Sequence, residues 1–504
     1  MKLAKLTRVT LALLLAIVML VSAVACTPRS GGDETDSGTS TETPSGNDTS
    51  ETTSETTSEN TSADTLPEDV IDEHTYDFYI TLGTMPTLYA TLNAYARQNP
   101  NTYMWFLRGN TISHEYTADF IHYFDTQSTT NANSSVDWSL IRNKVKEILA
   151  ADPEARFHLY CDDLRVSFIP HIFVWAGVDF EDLRVTFLSD GTGTYNNYSY
   201  QTDAYYDGYD ELFEEILTTY ENGRENPDFT PTYADDDGVM MALQYIAFYV
   251  STFPNVDFWV QSPDYLQCGS AVVAEARKSM HIVAKNPAEM YANLPDDVRA
   301  EYQKVVLANA LVDSETLTTL EEAVSYFDNQ LSGRNKELVL ILGTNKKTLA
   351  ENKFYIDETL KYYTPTPSAV HENAVVYKGQ LYEIEAGAET VNVNGTEMKI
   401  GECGVYLFFK GHPAFPADEE LQAYFADHGI EILPHRTPVE TLFWMYDVKV
   451  GGFQSTSFLS CYKGQTEFIY EQPTAEAIVQ MMEAGFFNNV AIFEAPTEED
   501  TSAS

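Results

Sequence analysis

Short runs of consecutive apolar residues, each about as long as one β-strand, recur in two blocks along this chain. The first block holds DFYITL (77–82), YMWFL (103–107), RFHLY (156–160) and LRVTFLS (183–189). The second holds ELVLIL (337–342), VYLFFK (405–410), DVKVGGF (447–453) and TEFIY (466–470). A strand with one wet face alternates apolar and polar residues, whereas a parallel strand covered on both faces reads as an unbroken apolar run. Amphipathic stretches with helical spacing, such as 136–150 and 166–176, lie between the runs. A long helical zone over 209–327, interrupted by FPNVDFWVQSPDYL, separates the two blocks. The pattern predicts an α/β protein with two Rossmann-like lobes facing a central cleft.

The ends of the chain do not share this pattern. Lys2, Lys5 and Arg8 precede an apolar run over 9–21, and small residues then lead to Cys26, the layout of an export signal. The run is short for a membrane span, which takes about 20 apolar residues. A leader over 1–26 that resembles a bacterial lipobox, with Cys26 lipidated, is therefore favoured over an uncleaved anchor. Residues 27–75 are rich in Ser, Thr, Gly, Asp and Glu with almost nothing to bury, which predicts a disordered, self-repelling tether. The first lobe is expected over 76–245 and the second over 246–480. Segment 481–495 is expected to return to the first lobe, and 496–504 to be a loose tail. The expected location is the outer face of a bacterial membrane, held through the lipid at Cys26.

Thirty Lys and Arg against 76 Asp and Glu leave a formal net charge of −46, which argues against nucleic acid as a partner. Beyond Cys26, Cys161, Cys268, Cys403 and Cys461 are scattered without metal-ligand spacing. One or two disulfides are open to an exported chain, with no readable pairing. No GxGxxG follows the first run and no GxxxxGK[ST] occurs anywhere, so neither dinucleotide nor P-loop chemistry is supported. No metal site and no cofactor is expected.

Ligands of open α/β sheets bind beyond the carboxyl ends of the strands, so the residues after the runs carry the chemistry. After the fourth run, Asp190-Gly191 is either a tight turn or a carboxylate at the cleft mouth able to act as general base toward a hydroxyl. After VYLFFK, the turn Lys410-Gly411-His412-Pro413 holds either a solvated histidine or an acid that serves a leaving group or anion. Thr437-Pro438-Val439-Glu440 fits a helix start with a capping box. Gly451-Gly452 then lead to Ser455-Thr456-Ser457, whose hydroxyls either cap a helix or hold a phosphate. Arg108, after YMWFL, is either a surface residue or a contact to an acceptor or a sugar carboxylate.

Taken in order, FFKGHP, TPVETL and VGGFQSTSFL resemble the bacterial sialyltransferases of glycosyltransferase family 80. In that family a Lys-Gly-His-Pro turn is followed by a Glu-containing helix start and a Gly-Gly-x-x-Ser-Ser segment. LSDGTGTY is similar to its Asp-Asp-Gly-Ser-x-Glu-Tyr motif, and ITLGTMPTL, FPNVDFWVQSPDYL and LVLILGT extend the likeness over most of 76–495. The resemblance implies a GT-B-type fold and an inverting, metal-independent transfer. The group moved would be sialic acid or a related nonulosonic acid, from a CMP donor to a galactose-type oligosaccharide. It implies Asp190 as general base and His412 as the group that protonates or stabilises the departing phosphate. Ser455 and Thr456 match the phosphate ligands and Glu440 the ribose ligand. Gly343, Thr344, Lys410, Gly411 and Pro413 fall around the nucleotide, while Arg108, Thr192 and Lys347 fall on the acceptor side. Ser189, Thr194, Lys347 and Ala414 depart from the family's usual residues, which bears on acceptor choice. A lipid-anchored extracytoplasmic solute-binding protein would also combine a lipobox, a tether and two lobes, but it leaves the ordered motifs without a role.

Overall fold

The computed structural model describes residues 70–106, 112, 114–124, 137–164, 168–226, 228–229, 246–267, 270–314, 316–412, 415–487 and 490–495. The leader with Cys26, residues 27–69 of the tether, Arg108, Cys268, Pro413, Ala414 and the tail 496–504 lie outside these.

Seven described strands form the first sheet: β1 (Thr75–Thr81), β2 (Thr102–Phe106), β3 (Ile121–Tyr123), β4 (Arg156–Asp162), β5 (Arg184–Leu188), β6 (Val256–Val260) and β7 (His281–Ala284). All pair in parallel, in the order β3-β2-β1-β4-β5-β6-β7. From β1 the chain builds outward to β2 and β3, then returns to add β4 on the other side. The loops after β1 and β4 therefore run apart and open a crevice at the carboxyl edge, where such sheets bind ligands.

The second sheet opens with β8 (Leu338–Leu342), followed by the helix Leu349–Tyr362. An antiparallel insert comes next: β9 (Thr366–Pro367), β10 (Ala374–Tyr377) and β11 (Gln380–Glu383) in one small sheet, then the hairpin β12 (Thr390–Val393) and β13 (Thr396–Lys399). Asn394 and Gly395 turn that hairpin with φ of 51° and 92°, the left-handed pair that a two-residue loop requires. The parallel sheet resumes with β14 (Tyr406–Lys410), β15 (Glu431–Ile432), β16 (Val448–Phe453), β17 (Thr466–Tyr470) and β18 (Ala491–Phe493). Its order, β15-β14-β8-β16-β17-β18, again reverses beside its first strand.

Two expected boundaries are corrected. The lobes do not divide at 245/246, because β6 and β7 belong to the first sheet and carry it to Ala284. The strand β6 is masked in the sequence by Asp257, a buried carboxylate that takes Nη2 of Arg184 on β5 at 3.1 Å. β7 is a four-residue edge strand whose half-buried residues show no clear pattern. The segment 481–495 does not return its strand to the first lobe: β18 pairs with β17, and Phe493 stacks on Phe468 with ring centroids 5.5 Å apart. The helix Glu476–Glu483, which runs into this segment, packs against the first lobe at the helix Thr192–Ser199 and the turn Pro263–Tyr265.

One apolar core runs through both lobes, joining Phe78, Ile80 and Leu88 of the first to Leu340, Phe408 and Trp444 of the second. A separate cluster with Val339, Ile341, Phe409 and Phe425 covers the other face of the second sheet. Among the described residues no helix is long and apolar enough to cross a membrane. Cys161, Cys403 and Cys461 are free thiols.

The second sheet depends on one glycine. Gly452 has φ of 126°, and a Cβ there would lie 2.4 Å from Leu342 O and 2.6 Å from Leu342 N, main-chain atoms of the paired strand β8. Neither can yield without breaking the ladder. Gly452→Ala is expected to cost about 3 kcal/mol or more through strained φ and overpacking. A melting temperature equal to that of the unaltered protein would contradict this packing.

Candidate active site between the lobes

The carboxyl edges of the two sheets face each other. Thr192, after β5, meets Thr456, after β16, with 2.9 Å between their hydroxyl oxygens. Gln261, after β6, donates from Nε2 to Ser460 Oγ at 3.0 Å, and Ser460 Oγ lies 3.4 Å from Met85 Sδ, after β1. The loops also pack tightly at Gly191, with φ of 63°, where a Cβ would stand 1.8 Å from Thr456 Cγ2. Only glycine allows both this backbone conformation and this contact.

Asp190 is placed by main-chain bonds. Its N–H donates to Asp163 Oδ1 at 3.1 Å and to Thr194 Oγ1 at 2.7 Å. Its carboxylate lies against Gly83, where a Cβ would come within 2.3 Å of Oδ1. Gly83 in turn donates its N–H to Asp162 Oδ2 at 2.8 Å. Asp162 ends β4, Asp163 follows it and Gly83 follows β1, so Asp190 sits beside the crevice where the strand order reverses. Sequence reading did not single out Gly83, Asp162 or Asp163. The signal available was a glycine and a pair of acids directly after two central apolar runs.

On the second lobe, three loops converge. Gly343, after β8, donates its N–H to Lys410 O at 3.0 Å. A Cβ on Gly343 would strike Phe409 Cζ at 2.7 Å, so this glycine lets the ends of β8 and β14 close together. A Cβ on Gly411 would meet only ordinary contacts, the nearest at 3.5 Å, so neighbouring atoms do not require glycine there. Thr344 Oγ1 donates to Asn345 Oδ1 at 3.1 Å and accepts from Lys346 N–H at 3.3 Å. Lys410 is buried, and its Nζ donates to Gly411 O at 3.0 Å and to His435 O at 2.5 Å. Its charge thus braces the loop of His412 to the loop that leads to Glu440. The turn itself is closed by Phe415 N–H donating to His412 O at 3.0 Å, and it leaves the His412 side exposed.

Glu440 does not close a capping box. The helix Val439–Met445 starts from Pro438 without a side-chain cap, and Thr437 Oγ1 is buried with no partner among the described residues. The Glu440 carboxylate is instead engaged by Ser457, whose Oγ donates to Oε1 at 2.7 Å. Ser455 Oγ donates to Ser457 Oγ at 3.1 Å and accepts Ser457 N–H at 3.2 Å, as the cap of the short 3₁₀ turn Thr456–Ser460. Ser455, Ser457 and Glu440 thus form one directed chain of hydroxyls ending on a carboxylate. Ser457 was seen in the sequence only as one of three small hydroxyl residues.

The expected acceptor residues are not gathered together. Thr192 faces Thr456 of the other lobe, while Arg108 lies outside the described residues. Lys347 is exposed on the second lobe, where its N–H donates to Glu351 Oε2 at 3.1 Å and its carbonyl accepts from Asp418 N–H at 2.9 Å.

No protein-family model matches the chain, and no curated protein matches it. Solved structures do. An α/β-galactoside α-2,3-sialyltransferase from Photobacterium phosphoreum is 15% identical with a TM-score of 0.51, covering 84% of this chain and 99% of that one. A 2,6-sialyltransferase from Photobacterium sp. JT-ISH-224, solved with CMP and lactose, is 13% identical with a TM-score of 0.52, covering 83% and 78%. A sialyltransferase from Photobacterium damsela is 13% identical with a TM-score of 0.50, covering 83% and 81%. At these identities the likeness establishes the fold, and the chain has the two-lobed, GT-B-type architecture of these glycosyltransferases.

Proposed function

We propose that the chain is an inverting glycosyltransferase that moves sialic acid, or a related nonulosonic acid, from a CMP donor to a galactose-type oligosaccharide. The observation that carries this reading is the meeting of the Asp190–Thr192 loop with the Ser455–Thr456 loop across the cleft. It sets a carboxylate and a row of hydroxyl donors on opposite lobes. Inversion needs a base on the acceptor side of the sugar and leaving-group stabilisation on the other. In this reading Asp190 takes the proton of the acceptor hydroxyl as its oxygen bonds to the anomeric carbon. The bond from that carbon to the phosphate oxygen breaks, and the electron pair leaves with CMP. His412 supplies a proton or a hydrogen bond to that phosphate, and Ser455 and Thr456 turn their hydroxyls from Ser457 and Thr192 to donate to its oxygens. Glu440, oriented by Ser457, serves the ribose hydroxyls, with Gly343, Thr344 and the Lys410–Pro413 turn around the nucleotide. A monophosphate leaving group can be served by these donors without a metal ion, and this reading assigns none. Export and a lipid anchor at Cys26 belong to the proposal on the strength of the leader sequence.

Incubating the full chain with CMP-sialic acid and lactose tests it. The expected result is release of CMP that depends on lactose, with sialyllactose as product. Tight sugar binding without turnover of this or any related CMP donor would overturn the proposal in favour of a solute-binding protein.

A further inference from the structure

Gln454 stands between β16 and the Ser455–Thr456 pair, and its side chain reaches a segment 20 residues further along the chain. Its Oε1 accepts two successive main-chain N–H groups, from Thr474 at 2.5 Å and from Ala475 at 3.0 Å, and its Nε2 lies 3.5 Å from Thr474 Oγ1. Ala475 is the N-cap of the helix Glu476–Glu483, and its own side chain gives that helix no cap. Gln454 thus satisfies the main chain where it enters a helix remote in sequence. That helix buries Ala477, Ile478 and Met481 and packs on the first lobe, against the helix Thr192–Ser199 and the turn Pro263–Tyr265. On the other side of Gln454, the ring of Phe453 lies under Lys346, whose Nζ is 4.4 Å from the ring centroid and pairs with Glu471, after β17. The Ser455 hydroxyl is engaged by Ser457 and the Thr456 hydroxyl by Thr192. To meet a phosphate both must turn from those partners, so those bonds cannot hold the segment while a ligand is bound. The bonds of Gln454 use no group that a phosphate would take, and they persist.

We propose that Gln454 is a positioning residue for the donor phosphate. By gripping Thr474 and Ala475 it fixes the main chain that presents the Ser455 and Thr456 hydroxyls, and it registers that chain against the first lobe through the helix Glu476–Glu483. The inference rests on the reading of Ser455 and Thr456 as phosphate ligands. Two bonds to one oxygen set direction as well as distance. A loop without them would have to be ordered each time a phosphate bound, and that ordering costs affinity. The helix Thr192–Ser199 meets this segment twice, directly at Thr456 and indirectly through Glu476–Glu483. Orientation set in advance in this way favours only those ligands that carry the phosphate.

The experiment measures binding of CMP and of cytidine to the full chain by titration calorimetry, alongside Gln454→Leu and Ala475→Pro. Gln454→Leu keeps an apolar stem of similar bulk and removes the acceptor. It is expected to weaken CMP about tenfold, the worth of a lost pair of main-chain bonds, and cytidine less than about twofold. Cytidine is spared because Glu440, on its own helix, still serves the ribose. Ala475→Pro deletes one of the two donors at a residue whose φ of −72° suits proline. It should weaken CMP about threefold with the same selectivity, as loss of one such bond does. Melting curves verify that each variant is folded, and either variant suffices for the comparison. CMP affinity equal to that of the unaltered chain would overturn the inference, and so would equal weakening of CMP and cytidine, the mark of a generally loosened lobe. If the unaltered chain binds CMP no better than cytidine, the phosphate reading of Ser455 and Thr456 itself fails, and the inference falls with it.

Discussion

Asp190→Asn is expected to lower lactose-dependent CMP release by about 10²- to 10⁴-fold, the usual contribution of a positioned general base. The structure makes this a clean substitution. Asp190 is fixed by its main-chain N–H, to Asp163 and Thr194, so the loop keeps its bonds when the side chain changes. Asparagine also has the size of the carboxylate that lies against Gly83, where there is no spare room. The donor loops stand on the other lobe, so donor KM should move little while kcat falls. Melting temperature should be retained. Activity within a few fold of the unaltered protein would remove Asp190 from the mechanism.

His412→Ala is expected to reduce kcat by a similar factor, about 10²-fold or more, because the departing phosphate loses its acid. The turn should survive the change, since its closing bond runs from Phe415 N–H to the main-chain oxygen of residue 412. The side of His412 is exposed, so free imidazole can reach the position it vacates. Adding imidazole should recover part of the lost rate in His412→Ala and none in Asp190→Asn. Undiminished CMP release by His412→Ala would refute the assignment.

The central strands were legible because parallel strands buried on both faces leave apolar runs, and all eight such runs are strands within a residue or two of their expected ends. The loops after them were legible for the same reason, since topology fixes where a ligand can sit. What escaped was set by contacts between distant residues. β6 hides behind Asp257, whose partner Arg184 lies 73 residues earlier. Glu440 fits a local capping pattern, but Ser457, 17 residues on, claims its carboxylate. Gly83 and Asp163 draw their roles from Asp190, and nothing in their own neighbourhoods announces it. The insert of β9 to β13 is short, polar and half exposed, without the unbroken apolar runs of the main sheets.

Lys410, buried beside the turn of His412, donates from its ammonium to the carbonyls of Gly411 and His435. The contact between Gly191 and Thr456 has a further bearing, on the fate of the activated sugar. Water is always present in excess over a glycan acceptor, so a transferase of this design must keep its donor from simple hydrolysis. Among the described residues the Asp190 loop meets the Thr456 loop at Gly191 and at the Thr192 hydroxyl, so on the proposed function parting the lobes would separate base and leaving group together. On that function, the ratio of transfer to hydrolysis would depend on how long these contacts last.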